Sequence, residues 1–575
     1  MHRVLRRSLS FASAIVSTLA PALAIVSLLS AALPYRAAAQ GGEPQSFAIR
    51  GATIVPVSGP RIENGTVIVS HGVITAVGKD VNFPQETWVI DGKGLTVYPG
   101  LIDSFTDVGL VSPPPPEGGA RSSTPPARGP EDRPASTPWR DAAGEATLSD
   151  KRIETWRSGG FTTVISAHKG GVFPGQAALL DLGGERNGDL VVKSPVAIPV
   201  SLQPPGSFAS FPGSLMGTLG YVHQVWIDTE WSGRAESIYD KNPHGMARPR
   251  YDRTDSALAD ALEDKAVVLI PANTTIQIRR SFELVDLWHV PAALYGGQMS
   301  YEVAGEIAAK KLPVLVNLKW PEAEKDADPD KGPTLEALRF RDRAPSSPAA
   351  LAKANVKFAF YSGGATSPKD TLKAAKKAID AGLGTDAALR ALTLSSAEIF
   401  GVSDRLGSID TGKIANLVVA DGDIFNEKTK IKYVFVDGRK YTIHEPEKPK
   451  DPPKGDLTGK WKLTFASPEG PDEATADISM ASDGSLSGTV QSKHGNSSII
   501  DGNLSADKFS FKINLPIEDS PSDVIFSGTF DGKTLKGNIH VASVGVDIDF
   551  TGAKPSDKSI TSANAEAKVD AGSVR

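Results

Sequence analysis

The sequence predicts an α/β chain of several domains: a (β/α)8 TIM-like barrel, β segments on either side of it, and a small antiparallel β-barrel at the C-terminal end. Three observations carry this. Short apolar strands alternate with helical stretches from Ser149 to Gly401, the pattern of a parallel sheet covered by helices. Residues 457–554 hold only short alternating strands, about eight of them, as in an up-and-down barrel. A chain of 575 residues also exceeds what one hydrophobic core supports.

Composition limits the function. Forty per cent apolar and 22% charged residues is globular composition. Lys+Arg 62 against Asp+Glu 67 leaves −5, with no basic excess to neutralise phosphates, so nucleic acid is not an expected partner. The absence of cysteine excludes disulfides, thiolate nucleophiles, cysteine zinc sites and a lipidated cysteine at a mature N-terminus.

Residues 1–39 read as a signal peptide. Arg3, Arg6 and Arg7 form a basic start, no charge follows until Arg36, and Ala37-Ala38-Ala39 supplies the cleavage pattern before Gln40. The mature chain is then exported, periplasmic or secreted, and losing four arginines makes it still more anionic. The uncharged run is also long enough for an uncleaved membrane anchor, a reading that Pro21 and Pro34 weaken. Arg6-Arg7 leaves both Sec and twin-arginine export open.

The mature chain opens with strands. Phe47–Val55 and Thr66–Val69 are β-rich, with Asn64-Gly65 read as the hairpin turn between them, and His71-Gly72 as the turn into Val73–Val77. Leu95–Ile102 reads as one short strand leading into Asp103. Residues 112–138 form a Pro-rich insertion. Ser149 is expected to cap a helix ending near Gly159-Gly160, and Phe161–Ser166 follows as a strand. Further strands are expected at 196–200, 266–270, 290–294, 313–317 and 356–360. Helices are expected at 255–264, 279–287, 300–311 and 348–353, and one starting at Ser367-Pro368. Phe211–Gly220 is Gly-rich before a helix but lacks the Lys-Ser/Thr ending of a phosphate loop. The chain returns to β structure over 405–444, with a tight turn at Asp437-Gly438. Residues 445–456 are linker-like, 457–554 carry the last barrel with turns at Asp483-Gly484 and Asp531-Gly532, and 555–575 form a polar tail.

Four stretches together resemble the amidohydrolase superfamily, in particular exported, imidazolonepropionase-like amidohydrolases. They are Pro99-Gly-Leu-Ile-Asp103, Phe161-Thr-Thr-Val164, Ala391-Leu-Thr-Leu-Ser-Ser-Ala-Glu-Ile-Phe-Gly401 and Gly407-Ser-Ile-Asp-Thr-Gly-Lys-Ile-Ala-Asn-Leu417. The resemblance spans roughly residues 45–442 and does not reach 457–554. It implies a composite β-sandwich from 40–98 and 405–444 around a barrel at 99–404, and hydrolysis of non-peptide carbon–nitrogen bonds such as cyclic amides. It also implies zinc or another divalent metal, held partly by two histidines two residues apart on the first strand, that turns bound water into the nucleophile. Here those positions are Phe105 and Asp107. The strand ends at Pro271-Ala272-Asn273 and Tyr295–Gln298 lack the implied histidines, and Tyr361-Ser362-Gly363-Gly364 stands where an aspartate is implied. No resident metal is therefore expected.

What remains is a polar set at the strand ends. Asp103, Asp107 and His168 are the candidate catalytic residues, and Asn273, Gln298, Asn317 and Ser362 the candidate ligand-binding ones, ringing the C-terminal face of the barrel. His168 more simply reads as a solvated or hydrogen-bonded loop histidine, and a barrel mouth is polar wherever water reaches it. Two functions stay open. One is an exported hydrolase of carbon–nitrogen bonds with an altered or absent metal; the other is a non-catalytic binding or partner subunit that keeps the barrel as scaffold. The expected ligand is a small polar molecule or cyclic amide. The lipocalin-like β domain is open to a small apolar ligand or a partner protein.

Overall fold

The computed structural model describes residues 46–111, 133–203, 211–323, 332–365, 367–443, 451–467, 470–493, 495–517, 520–541 and 546–554. The expected signal peptide, most of the Pro-rich insertion, the first part of the linker and the tail lie outside them. The chain divides into two units, one ending at Ile443 and the other starting at His444.

Five strands open the first unit: β1 (Ser46–Ile54), β2 (Ile62–Ser70), β3 (Val73–Gly78), β4 (Trp88–Asp91) and β5 (Thr96–Pro99). Eight more build the barrel sheet: β6 (Leu101–Thr106), β7 (Phe161–Ser166), β8 (Ala177–Asp181), β9 (Val191–Pro199), β10 (Val267–Ala272), β11 (Ala292–Gly296), β12 (Val314–Asn317) and β13 (Phe358–Tyr361). Three return strands follow: β14 (Leu417–Ala420), β15 (Ile431–Val436) and β16 (Arg439–Thr442).

The first and last of these groups form one sheet in the order β16-β15-β14-β5-β1-β2-β3, with β4 beside β1. Its buried face carries Phe47, Ile49, Val67, Val97, Leu417, Val419 and Phe435. The tight turns at His71-Gly72 and Asp437-Gly438 form as expected, with both residues of each pair at positive φ. Asn64-Gly65 is not a turn: β2 runs straight through it, Ala52 pairs with Gly65 and Ile54 with Ile62, and Asn64 at φ 52° is absorbed as a bulge. The chain reverses at 55–61 instead, where Pro56 and Pro60 remove ladder donors.

Leu95–Ile102 is likewise two strands rather than one. The chain leaves the composite sheet after Pro99 and enters the barrel at Leu101, with Gly100 between. The Gly100 N–H donates to the Asn416 carbonyl at 2.7 Å, and a Cβ there would drive into Thr162. Only glycine lets the two sheets approach so closely.

The barrel sheet runs from β6 through to β13, parallel at every pairing except those of β8, which is antiparallel to both β7 and β9. The ten residues between β7 and β8 are too few for a helical crossover, so a hairpin forms. The sequence hides β8 because Ala-Ala-Leu-Leu-Asp is buried throughout and shows no alternation. One layer of side chains fills the barrel interior, including Ile102, Leu179, Leu269, Leu315 and Phe400; a larger layer packs the strands against the surrounding helices. The helix at Arg152–Ser158 is capped by Asp150, which accepts the Arg152 N–H at 2.9 Å, rather than by Ser149. Ser367 caps the helix Pro368–Asp380 as expected. The longest helix among the described residues, Leu215–Lys241, carries 27 residues.

In the second unit, eight antiparallel strands between Gly459 and Ala553 close into a barrel, with the short strand Gly495–Ser498 pairing Ser485–Ser492 in line with Ile500–Ser505. Its interior is packed with aromatic rings: Phe511 stacks on Phe526 at 4.8 Å, and Phe550 meets Phe526 edge-on at 5.5 Å. The glycine turns at Asp483-Gly484 and Asp531-Gly532 fall between strands as expected.

Candidate active site at the barrel mouth

Strand β6 delivers Asp103, Phe105 and Asp107 to the mouth, and its pairing with β7 slips between Asp103 and Thr106. Phe105 turns its ring into the barrel interior. It lies 5.2 Å from the Tyr295 ring on β11 and 5.7 Å from the Tyr361 ring on β13, the latter edge-on. Such contacts are favourable in their own right, so the three rings form a fixed aromatic plug. Tyr295 anchors it by donating to the Val200 carbonyl at 3.1 Å. Burial raises the pKa of both tyrosines, which stay neutral.

Asp103 lies wholly buried beneath this plug. One carboxyl oxygen accepts the Ser362 N–H at 2.9 Å; the other, and the Ser362 hydroxyl, are buried with no hydrogen-bond partner. Burial pushes the carboxyl up to about 6 against the hydrogen bonds it accepts. Asp103 and Ser362 are the one pair of the expected ring that the fold brings into direct contact through Asp103's carboxylate.

Asp107 belongs to a different cluster. Arg152 donates to it at 2.9 Å and Lys169 at 2.8 Å, while Arg152 also reaches the Asp107 and Leu110 carbonyls. Burial works against its charge, but Lys169 and Arg152 prevail and hold the carboxyl below its ordinary range. His168 is buried as well, with Nε2 3.4 Å from Glu145 Oε1, and Arg140 grips Glu145 at 3.0 and 2.6 Å. Burial and the Arg140 charge lower the His168 pKa, so its ring is neutral. Gln298 spends its amide on the Asn317 and Lys319 carbonyls at 3.0 and 2.7 Å, and Asn317 accepts the Lys319 N–H at 2.8 Å. Asn273 is exposed at the head of the helix that follows. The expected ring therefore breaks into separate groups. Sequence reasoning missed Arg152, Lys169, Glu145 and Arg140, whose placement depends on tertiary folding, and the plug residues Tyr295 and Tyr361, whose position at the ends of apolar strands was the available signal.

The family's metal does not fit these residues. A phenyl ring fills the first implied ligand position, Asp107 is already neutralised by two cations, and among the described residues no three histidine, aspartate or glutamate side chains gather as a metal site.

Residues 336–441 match the model of the Amidohydrolase family. The resemblance to the amidohydrolase superfamily holds. The solved structure of an amidohydrolase from Thermotoga maritima MSB8 is similar over 69% of this chain and 100% of that one, at 22% identity and a TM-score of 0.57, which shows the fold. A prolidase complexed with N-methylphosphonate-L-proline covers 69% of this chain and 99% of its own at 19% identity and a TM-score of 0.42. Phenylurea hydrolase B covers 69% and 97% at 16% identity and 0.42. Likenesses that loose carry nothing further. No curated protein matches the chain. The family-matched segment holds β13 to β15, all of Ala391–Gly401 and β16 but for Thr442; Phe105 and Asp107 lie outside it.

Proposed function

We propose that this chain is an exported amidohydrolase-fold protein that has given up metal-dependent hydrolysis and serves as a binding or partner subunit. One observation carries the reading: the Phe105 ring, packed between Tyr295 and Tyr361, stands where the first metal-binding histidine is implied. The basic, apolar and small-residue pattern of residues 1–39 supports export, and no helix among the described residues is long and apolar enough to cross a membrane. The test is elemental analysis of the mature protein after dialysis, paired with hydrolysis assays on cyclic amides and dipeptide-like compounds. We expect no stoichiometric zinc and no turnover that chelator removes and zinc restores. One zinc per chain with such turnover would return the protein to ordinary metal-dependent hydrolysis.

A second reading has its own support in the unpartnered Asp103 oxygen and Ser362 hydroxyl, the raw material of a carboxyl-based hydrolase without metal. It requires chelator-insensitive turnover that Asp103→Asn abolishes.

A further inference from the structure

The helix Leu215–Lys241 buries one side against the barrel layer through Thr218, Val222, Val225, Trp226, Thr229 and Ser232. Its opposite side is apolar too. Met216 is 83% exposed, Ile227 45%, Trp231 71% and Ile238 56%. Met216, Ile227 and Ile238 stand eleven residues apart, close to three turns, so they share a single stripe with Gly220, Trp231 and Arg234. Past Ser232 no residue of the helix is fully buried, though Gly233, Ala235, Glu236 and Tyr239 are half-buried. Exposed apolar groups gathered on one stripe of a helix mark a surface that a partner can cover.

We propose that this stripe is a homodimer interface, in which the helix packs antiparallel against the same helix of a second copy. The stripe is self-complementary about Ile227. An antiparallel copy that sets Ile227 against Ile227 also sets Met216 against Ile238, and Gly220 against Arg234. Along the seam Ile227 then meets Ile227 and Met216 meets Ile238, while Trp231 meets the half-buried His223. Arg234, paired with Glu230 on its own helix, meets Gly220, above which the space is open. That is the isologous matching a two-fold axis demands. The helix is about 40 Å long and about 10–12 Å wide, so the face alone covers roughly 400–500 Å² per copy. A stable interface covers roughly 800 Å² per partner, so the helix face would supply about half of it.

The chain has no cysteine, so single introduced cysteines report on this geometry cleanly. Under mild oxidation of the mature full chain, Ile227→Cys is expected to form a disulfide-linked dimer in high yield. Glu236→Cys, on the opposite side of the helix, is expected to form at least tenfold less. Light scattering across protein concentrations should show a dimer for the unmodified chain, and Trp231→Glu should raise the dissociation constant at least 100-fold while leaving the melting temperature of the monomer unchanged. A chain that stays monomeric at all concentrations overturns the proposal. If hydrogen exchange on that monomer shows the helix protected, residues of this chain outside the described ones cover the stripe. A dimer indifferent to Trp231→Glu, or cross-linked equally by both cysteines, assigns the contact to another face.

Discussion

Of the buried aspartates of the first unit, Asp103 and Asp181 are the most enclosed, and they are wired differently. Asp181, at the end of β8, sits where the barrel meets the composite sheet; it accepts Thr163 Oγ1 at 2.7 Å and Asn416 Nδ2 at 2.9 Å, and Asn416 in turn accepts the Asp437 N–H at 2.7 Å. Asp103, at the mouth, keeps one oxygen with no partner. Burial lifts both carboxyls, Asp181 to about 7 and Asp103 to about 6. The seam carboxyl is a structural tie between two sheets, with a partner from each. The mouth carboxyl accepts the N–H of Ser362, just past β13, and at 3.5 Å the N–H of Phe105 on its own strand, and the neighbouring Ser362 hydroxyl has no partner. A raised pKa is thus common to both and does not mark chemistry; the orphaned oxygen is what separates them.

The largest expected effect lies at the seam. Asn416→Ala strands a buried carboxyl and the Asp437 N–H at once, and should destabilise the first unit by about 3 kcal/mol, read by denaturant unfolding. A loss below about 1 kcal/mol would make the seam no tighter than the mouth.

The next effect is a pH dependence. A buried acid with a raised pKa holds its proton more tightly folded than unfolded, so the stability it contributes is full below its unfolded pKa and is lost as pH rises through the folded value. For Asp103 the window runs from 3.8 to about 6, and at 1.36 kcal/mol per unit the loss is at most about 3 kcal/mol. Asp103→Asn should remove that decline, so the stability difference between variant and parent shifts in the variant's favour between pH 4 and pH 7. Parallel curves for the two proteins would show that Asp103 carries no raised pKa.

The smallest effect belongs to Asp107. Its partners are partly exposed, so Asp107→Asn should cost about 0.5–1 kcal/mol, and less at high salt. A loss as large as that of Asn416→Ala would mean that the Arg152 cluster is a structural tie of equal rank.

Much of this was legible in the sequence, for physical reasons that vary by place. His71-Gly72 and Asp437-Gly438 announced their turns because both residues tolerate positive φ and sit between clean strands. Asn64-Gly65 carries the same signal and misleads, since a bulge uses the same conformation. The lost ligand positions, Phe105 among them, were readable because the flanking Pro99–Asp103 motif fixes their place. The breakup of the polar ring was not. Whether Asp107 faces the mouth or a salt bridge depends on Arg152 and Lys169, and no spacing in the chain pairs them. Strand β8 escaped because buried antiparallel strands of five residues show no period.

The hop at Gly100 has a consequence for how the chain comes to be folded. Strand β5 pairs with β14, Val97 lying opposite Val419, so the opening sheet cannot be finished until the whole barrel has been synthesised. Until then the edge of β5 that will meet β14 has open backbone groups and apolar side chains, a template for pairing with the wrong chain. The closing contact is among the most distant in sequence, so its loop-closure entropy falls on the last step. Assembly of the first unit should therefore be slow and all-or-none, and truncations before β14 should aggregate rather than yield a free barrel.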